Sequence, residues 1–273
     1  MTTEELKKAA AEVRKDIVTA THAAKSGHPG GSLSSADIVT YLYFEEMNID
    51  PKDPGKEDRD RFVLSKGHCA PVLYGVLAEK GYFPKDWLLT LRHMGSHLQG
   101  HPDLKKTPGV DMSAGSLGQG ISVAVGMALS AKLQGKDYRV YTLLGDGECQ
   151  EGQVWEAMMY AGHRKLDNLC IIIDNNNLQI DGDIRNICSP HPLDEKAKAF
   201  NCHPVVIEDG NDMDQIRAAF KEARETKGCP TVIIARTLKG KGVSFMEGQA
   251  SWHGKAPNDE QYAQAMKELE EVQ

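Results

Sequence analysis

Short, β-branched apolar runs alternate with longer stretches in which apolar residues recur at helical spacing. The runs suit buried parallel strands, and the longer stretches suit amphipathic helices. We predict strands at residues 61–65, 140–145, 170–174, 204–208 and 230–235, and helices at 3–25, 34–46, 71–80, 85–92, 121–133, 212–226 and 259–273. A further helical run lies between the second and third strands. This alternation predicts an α/β fold, a three-layer, doubly wound, mostly parallel sheet with right-handed crossovers.

The stretch from residue 140 to 182 combines two of these strands with two polar turns. The first strand ends in Gly-Asp-Gly around Asp146, and the second ends in an asparagine-rich turn that contains Asn176 and Leu178. Parallel strands that flank one helix end at the same edge of a sheet, and open α/β sheets bind their ligands there. We therefore expect the two turns to lie close together at a binding site.

The side chains of these turns indicate a metal bound together with a phosphate. Glycines beside Asp146 let the backbone approach a bulky anion while the carboxylate faces a hard cation. Asn176 and a carbonyl near Leu178 offer neutral oxygens. One carboxylate, one amide and one carbonyl leave half an octahedron open, which Mg²⁺ typically fills with phosphate oxygens and water. The alternative is a surface turn followed by a polar loop.

Composition narrows the class of protein. The 273 residues suffice for one substantial core, so we predict a single domain over residues 1–273. A net charge of −7 without a basic stripe argues against nucleic-acid binding. Six cysteines without a CxxC pair argue against a zinc ribbon or thioredoxin motif and fit the reduced cytoplasm. No apolar run approaches the roughly 20 residues of a membrane span, so neither a signal peptide nor a membrane anchor is expected.

Several histidines occupy turns that are rich in glycine. His28 lies in Gly-His-Pro-Gly, where an imidazole sits beside a stiff proline and permissive glycines. His68 follows the first predicted strand, near amides suited to anions. His93, His97 and His101 are spaced by four in an irregular segment, residues 93–118, but glycines and a proline break the helix that a zinc site would need.

The central motif resembles the thiamine diphosphate signature, and Leu-Gln-Ile-Asp-Gly at residues 178–182 resembles its transketolase version. The resemblance implies that Asp146, Asn176 and the backbone oxygen of Leu178 hold Mg²⁺, for which Ca²⁺ or Mn²⁺ can substitute. It also implies that the Gly147 amide meets the cofactor diphosphate, that Ile180 packs against the thiazolium ring, and that Glu151 lies in a subunit contact.

Five other elements resemble transketolase segments in the family's order. The resemblance makes His28 and His101 substrate-facing residues, and it places His68 on the diphosphate. His253, in Trp-His-Gly, is implicated in both cofactor and substrate contacts. The resemblance also implies that, in the turn before the predicted helix at 121–133, the backbone of Gly115 and the side chain of Leu117 contact the cofactor. Ser116 stands there where the family has proline, and the glycine spacing does not fit a dinucleotide fingerprint.

The resemblance also implies what this chain needs from elsewhere. In transketolase, the glutamate that engages the cofactor ring belongs to a pyrimidine-binding domain. We expect the 273 residues to leave no room for such a domain. The expected protein is the N-terminal subunit of a split transketolase that pairs with a C-terminal subunit, in an α₂β₂ assembly, and transfers a two-carbon ketol unit between sugar phosphates.

Three alternatives stay open. One is a subunit of another split thiamine diphosphate enzyme, either a ketolase for an unusual sugar or a 2-oxo acid dehydrogenase α-subunit. The second is a non-catalytic subunit that binds the cofactor. The third is a free-standing Mg²⁺-dependent phosphate binder that needs no partner.

Overall fold

The computed structural model describes residues 1–271 and is built on one parallel sheet. Its strands are β1 (Arg61–Leu64), β2 (Val140–Gly145), β3 (Leu169–Asn175), β6 (His203–Ile207) and β7 (Thr231–Arg236). They run side by side in the order β1-β2-β3-β7-β6, and every neighbouring pair is parallel. Two short strands, β4 (Leu178–Gln179) and β5 (Gly182–Asp183), form a separate antiparallel hairpin.

Helices fill the connections between the strands. The α-helices are α1 (Thr3–Ala24), α2 (Pro29–Ser34), α3 (Ala36–Tyr41), α4 (Ala70–Glu79), α5 (Gln119–Leu133), α6 (Gly152–His163), α7 (Ile184–Ile187), α8 (Leu193–Ala199), α9 (Met213–Glu225) and α10 (Asp259–Glu271). A π-helical turn follows α3 at Leu42–Glu46. Short 3₁₀ turns occur at Gly67–Cys69, Lys85–Thr90, Gly147–Gln150 and Ala250–Trp252.

Two hydrophobic cores lie on opposite faces of the sheet. Because side chains alternate along a strand, Cys170 and Ile172 of β3 face the core formed with α1, α3, α4 and α9, whereas Ile171 and Ile173 face the core formed with α5, α6 and α8. All four side chains are fully buried. The predicted three-layer α/β architecture with a parallel sheet is therefore confirmed.

Three of the sequence predictions differ from the local structure, and the β4–β5 hairpin and the short helices α7 and α8 were not predicted. The predicted helix at 34–46 is split into α3 and a π turn, and the one at 85–92 is a 3₁₀ helix over Lys85–Thr90. The Gly-His-Pro-Gly element was expected to be a loop, but α2 starts at Pro29, whose fixed φ suits the first helical position. Residues 272–273 of the last predicted helix lie outside the described part.

The sheet sets the position of the functional edge. The carboxyl ends of β1, β2, β3 and β7 open onto one side, where the 3₁₀ turns Gly67–Cys69 and Gly147–Gln150 and the β4–β5 hairpin converge. In residues 1–271, none of the helices is both long and apolar enough to cross a membrane.

Candidate active site

A cleft lies over the carboxyl ends of the central strands. It gathers most of the site residues that the sequence indicated: His68, Leu117, Asp146, Gly147, Glu151, Asn176, Leu178, Ile180 and His253. Gly31, Lys66 and Lys239 also line it. Segments far apart in the chain therefore meet at one edge, as expected for an open parallel sheet.

Backbone hydrogen bonds hold the carboxylate of Asp146 at the base of the cleft. Its oxygens accept from the backbone N–H groups of Gly147, at 2.7 Å, and Asn177, at 2.5 Å. Asn177 adopts a left-handed conformation with φ of 60°, which asparagine tolerates and which turns the chain into the β4–β5 hairpin. The side-chain oxygen of Asn176 accepts from the Leu178 N–H at 3.1 Å. The two predicted turns thus interlock.

The charge on Asp146 is poorly compensated within the protein. Burial, and then the nearby negative charge of Asp174, raise the pKa of Asp146 to about 7. A divalent cation on the cleft side would favour the ionised form. Asn176 and Leu178 line the cleft together with Asp146, and an amide oxygen and a backbone carbonyl are hard donors of the kind that suits Mg²⁺.

This donor set differs from a typical cluster of metal-binding side chains. Within residues 1–271, no group of three or more His, Cys, Asp or Glu side chains could hold a metal. An ion at Asp146 would therefore depend on neutral oxygens and on phosphate oxygens from its ligand. The residues present fit a metal bound together with a diphosphate.

Lys66 and Asp174 form a buried ion pair beneath the cleft. The ammonium also donates to the backbone oxygen of Gly31 and to the Ser35 hydroxyl, both at 2.9 Å. Burial is the largest single influence and disfavours both charges, but the partner's opposite charge and the hydrogen bonds together outweigh it. The pKa of Lys66 is therefore raised and the pKa of Asp174 is lowered. The Lys66 ammonium and the Asp174 carboxylate are therefore both charged, and the pair as a whole is neutral.

Asp174 connects four separate segments. Besides Lys66, it accepts hydrogen bonds from the Ser34 hydroxyl at 2.7 Å, the Asn176 amide at 3.0 Å, and the Thr237 hydroxyl. Since Asn176 is one of the proposed metal donors, Asp174 also orients the metal-binding turn.

Three histidine rings form a cluster above the cleft. The ring centroids of His68 and His253 lie 5.0 Å apart, and those of His28 lie 5.2 Å from His68 and 5.4 Å from His253. Burial, followed by neighbouring positive charges, lowers the pKa of His28 to about 4 and the pKa of His253 to about 3, and it lowers that of His68 well below its ordinary value. All three rings are therefore neutral near pH 7.

The remaining predicted residues lie around the opening. Gly115 is next to His101, since a Cβ at Gly115 would lie 3.5 Å from the ring carbon Cγ of His101. The Ile180 side chain is 65% exposed and that of Leu117 is 37% exposed, so both offer apolar surface to a ligand. His97 instead stacks on Trp87, with 4.3 Å between ring centroids.

Sequence reasoning missed three buried residues of the site. Lys66 and Glu148 have no role in the sequence predictions. The basic, glycine-containing run at residues 236–242 is typical of a flexible turn, but that interpretation is wrong for Lys239, which is only 2% exposed and donates to the Leu178 carbonyl at 2.9 Å. Glu148 accepts from the backbone N–H groups of Gly118, at 2.9 Å, and Gly145, at 3.0 Å. A signal for Lys66 was available, because a lysine that directly follows a buried strand seldom stays unpaired.

Comparison with known proteins identifies related chains. Residues 6–270 match the family described as transketolase, thiamine diphosphate binding domain. The chain is 48% identical to the 6-deoxy-6-sulfo-D-fructose transketolase subunit SqwG of Clostridium sp. (strain MSTE9), over 89% of this chain and 88% of that one. It is 44% identical to an apulose-4-phosphate transketolase subunit of Actinobacillus succinogenes, over 97% and 95% of the two chains.

Longer proteins match over part of their length. The human transketolase is 44% identical over 92% of this chain, which spans 40% of that protein. The crystal structure of transketolase from Campylobacter jejuni superimposes with a TM-score of 0.94 at 33% identity, over 99% of this chain and 43% of that one.

Proposed function

The chain belongs to the transketolase family through its thiamine diphosphate-binding domain, and from this we propose that it is the diphosphate-binding subunit of a two-subunit transketolase. The observation that carries the proposal is the cleft itself. Asp146, Asn176 and Leu178 present hard oxygens there, beside the cationic and imidazole groups of Lys66 and His68. This combination suits a diphosphate with its metal.

In the proposed complex, this chain's residues bind and orient. Asp146, the Asn176 amide and the Leu178 carbonyl would hold Mg²⁺, and His68 would donate to the diphosphate. The Gly147 N–H, which donates to Asp146 in this structure, would lie against the diphosphate. When bound, thiamine diphosphate supplies the carbon centre that accepts and releases a two-carbon ketol unit.

The groups around the opening would contact the sugar. Neutral His28, His101 and His253 can donate to hydroxyl and carbonyl oxygens or accept from hydroxyls. Leu117 and Ile180 would support the apolar part of the cofactor. The proposed reaction is transfer of a ketol unit from a ketose phosphate to an aldose phosphate.

A partner chain is part of the proposal. Two similar proteins of comparable length are named as transketolase subunits, whereas single-chain transketolases such as the human one extend well beyond the matched region. We infer that residues 1–273 form one diphosphate-binding domain and that a second subunit supplies the pyrimidine-binding domain, in an α₂β₂ assembly.

A ketolase for an unusual sugar is the second candidate. The chain is 48% identical to a subunit named for 6-deoxy-6-sulfo-D-fructose, and 44% identical to one named for apulose 4-phosphate. The set of ketose donors that supports turnover separates this candidate from a transketolase of ordinary sugar phosphates.

The test is co-purification with the native partner, followed by a ketol-transfer assay with thiamine diphosphate and Mg²⁺. We expect turnover by the complex but not by the isolated chain. In the complex, Asp146→Ala should weaken cofactor affinity in calorimetry by at least about 100-fold, the upper end of what outer-shell substitutions cost at metal sites. Full turnover by the chain alone, or unchanged cofactor affinity in the variant, would contradict the proposal.

A further inference from the structure

Arg92 holds an unusual backbone conformation at the edge of the cleft. Its φ is 63°, in the left-handed region that a residue with a long side chain seldom adopts. Its N–H donates to the Leu98 carbonyl at 2.9 Å, which closes the turn. Backbone strain of this kind persists where the surrounding structure imposes it, often at functional sites.

The guanidinium of Arg92 reaches the histidine cluster. One of its nitrogens lies 3.3 Å from Nδ1 of His28, and another donates to the Ser26 hydroxyl at 3.2 Å. Gly100 leaves room for the group, because a Cβ there would lie 3.0 Å from the central guanidinium carbon. The Arg92 side chain is therefore anchored by Ser26 and directed at one particular ring atom.

This contact determines which ring nitrogen of His28 carries the proton. A guanidinium has only donors and remains charged, so Nδ1 of His28 must accept. A neutral imidazole that accepts at Nδ1 carries its hydrogen on Nε2. Protonation of both nitrogens is disfavoured, since burial and the adjacent charge of Arg92 lower the pKa of the ring.

We propose that Arg92 is a positioning residue that fixes His28 as the Nε2–H tautomer, so that His28 meets the substrate as a hydrogen-bond donor. This role rests on the proposed function, in which His28 faces the sugar. The donor would bind a hydroxyl or carbonyl oxygen of the ketose and hold it for reaction. Because Nε2 carries the hydrogen in this tautomer, it cannot accept a proton from the substrate as a general base.

The left-handed backbone supplies a sharp test with a matched control. Arg92→Gly removes the guanidinium and relieves the backbone strain, so the variant should be at least as stable as the parent. Lys165→Gly makes the same change at another left-handed residue, with φ of 52°, in the turn between α6 and β3 at the amino end of that strand, opposite the cleft. Both variants should unfold at equal or higher urea concentration than the parent chain.

The direct readout is the ¹⁵N spectrum of the labelled His28 ring at neutral pH, recorded on the full chain. We expect Nδ1 to be unprotonated in the parent and in Lys165→Gly, and to become partly protonated in Arg92→Gly. A protonated Nδ1 in the parent, or an identical spectrum in Arg92→Gly, would overturn the inference. Because no turnover is needed, this result stands apart from success or failure of the proposed function.

Kinetics of the complex with its partner give a second readout. Arg92→Gly should lower kcat by up to about 100-fold with little change in substrate KM, as for a misplaced reacting group. Arg92→Lys, which keeps a cationic donor, should recover part of that loss, and Lys165→Gly should match the parent. A raised KM at unchanged kcat would instead show that Arg92 binds the substrate directly, and it would overturn the positioning role.

Discussion

The floor and the rim of the cleft are built by different means. The floor consists of Lys66, Asp146 and Asp174, which are at most 2% exposed and stand at or next to the carboxyl ends of strands. The rim consists of His28, Arg92 and His101, which stand outside the strands, where a few hydrogen bonds fix them. Strand register therefore sets the positions of the floor residues, whereas contacts between turns set those of the rim.

This contrast predicts a division of roles. The floor residues are buried charges, so their loss should affect folding as well as cofactor binding. Rim residues are reached by solvent, so their replacement should alter sugar handling while the fold persists. Changes that separate these two effects test the comparison directly.

The largest effect is expected on the floor. Lys66→Met leaves Asp174 buried without its cation, so the free energy of unfolding should fall by about 3–5 kcal/mol in urea titration. Lys132→Met is the matched control, because it breaks the partly exposed pair with Asp167 and should cost less than about 1 kcal/mol. Equal losses in the two variants would show that the floor pair has no special importance for stability.

A smaller, selective effect is expected on the rim. His101→Ala should lower kcat/KM of the complex by at most about tenfold, because one hydrogen bond contributes about 0.5–1.5 kcal/mol. Cofactor affinity from calorimetry should stay within about twofold of the parent, since His101 is not among the cleft-lining residues. Comparable losses of cofactor affinity and turnover would contradict the proposed role of His101 in contacting the sugar.

The smallest effect is a difference in pH dependence. The folded-state pKa of His28 is lowered, so between about pH 6.5 and 4 the unfolded chain binds a proton that the folded chain does not, and stability falls with falling pH. The raised pKa of Asp146 acts in the opposite direction, because stability is lost as pH rises from about 4 toward 7.

Urea titrations of the parent and His28→Gln at pH 6.5 and 5 isolate the rim contribution. On acidification, the free energy of unfolding should fall further in the parent than in the variant. The difference should be smaller than about 1.4 kcal/mol per pH unit, which is the effect of one proton bound only by the unfolded chain. Parallel pH profiles would show that the His28 ring titrates equally in the folded and unfolded chains.

The floor could largely be predicted from sequence, because its carboxylate and amide follow recognisable strands. Asp146 and Asn176 stand directly after β-branched runs, and the periodicity places those runs in one sheet. Lys66 has the same local signal, but its partner Asp174 is 108 residues away, so the ion pair could not be read locally.

The rim was harder to predict because its geometry depends on contacts between turns. Nothing in the sequence near Arg92 indicates a left-handed φ or a contact with His28, which lies 64 residues away. The helical start at Pro29 was also missed, although proline at a first helical position is common. Family resemblance indicated the histidines of the rim, but the neutral state of the His28 ring became evident only from its partial burial and from the adjacent charge of Arg92.

The hydrogen bonds of Asp174 also bear on the order of events during synthesis. Its partners Ser34 and Thr237 lie 140 residues before it and 63 residues after it. Contacts of such separation form late, since long loops must close first. A nascent chain whose β7 is still inside the ribosome would lack the Thr237 contact. The hydrogen bonds of Asp174 beneath the cleft should therefore be completed only after the C-terminal third has been translated.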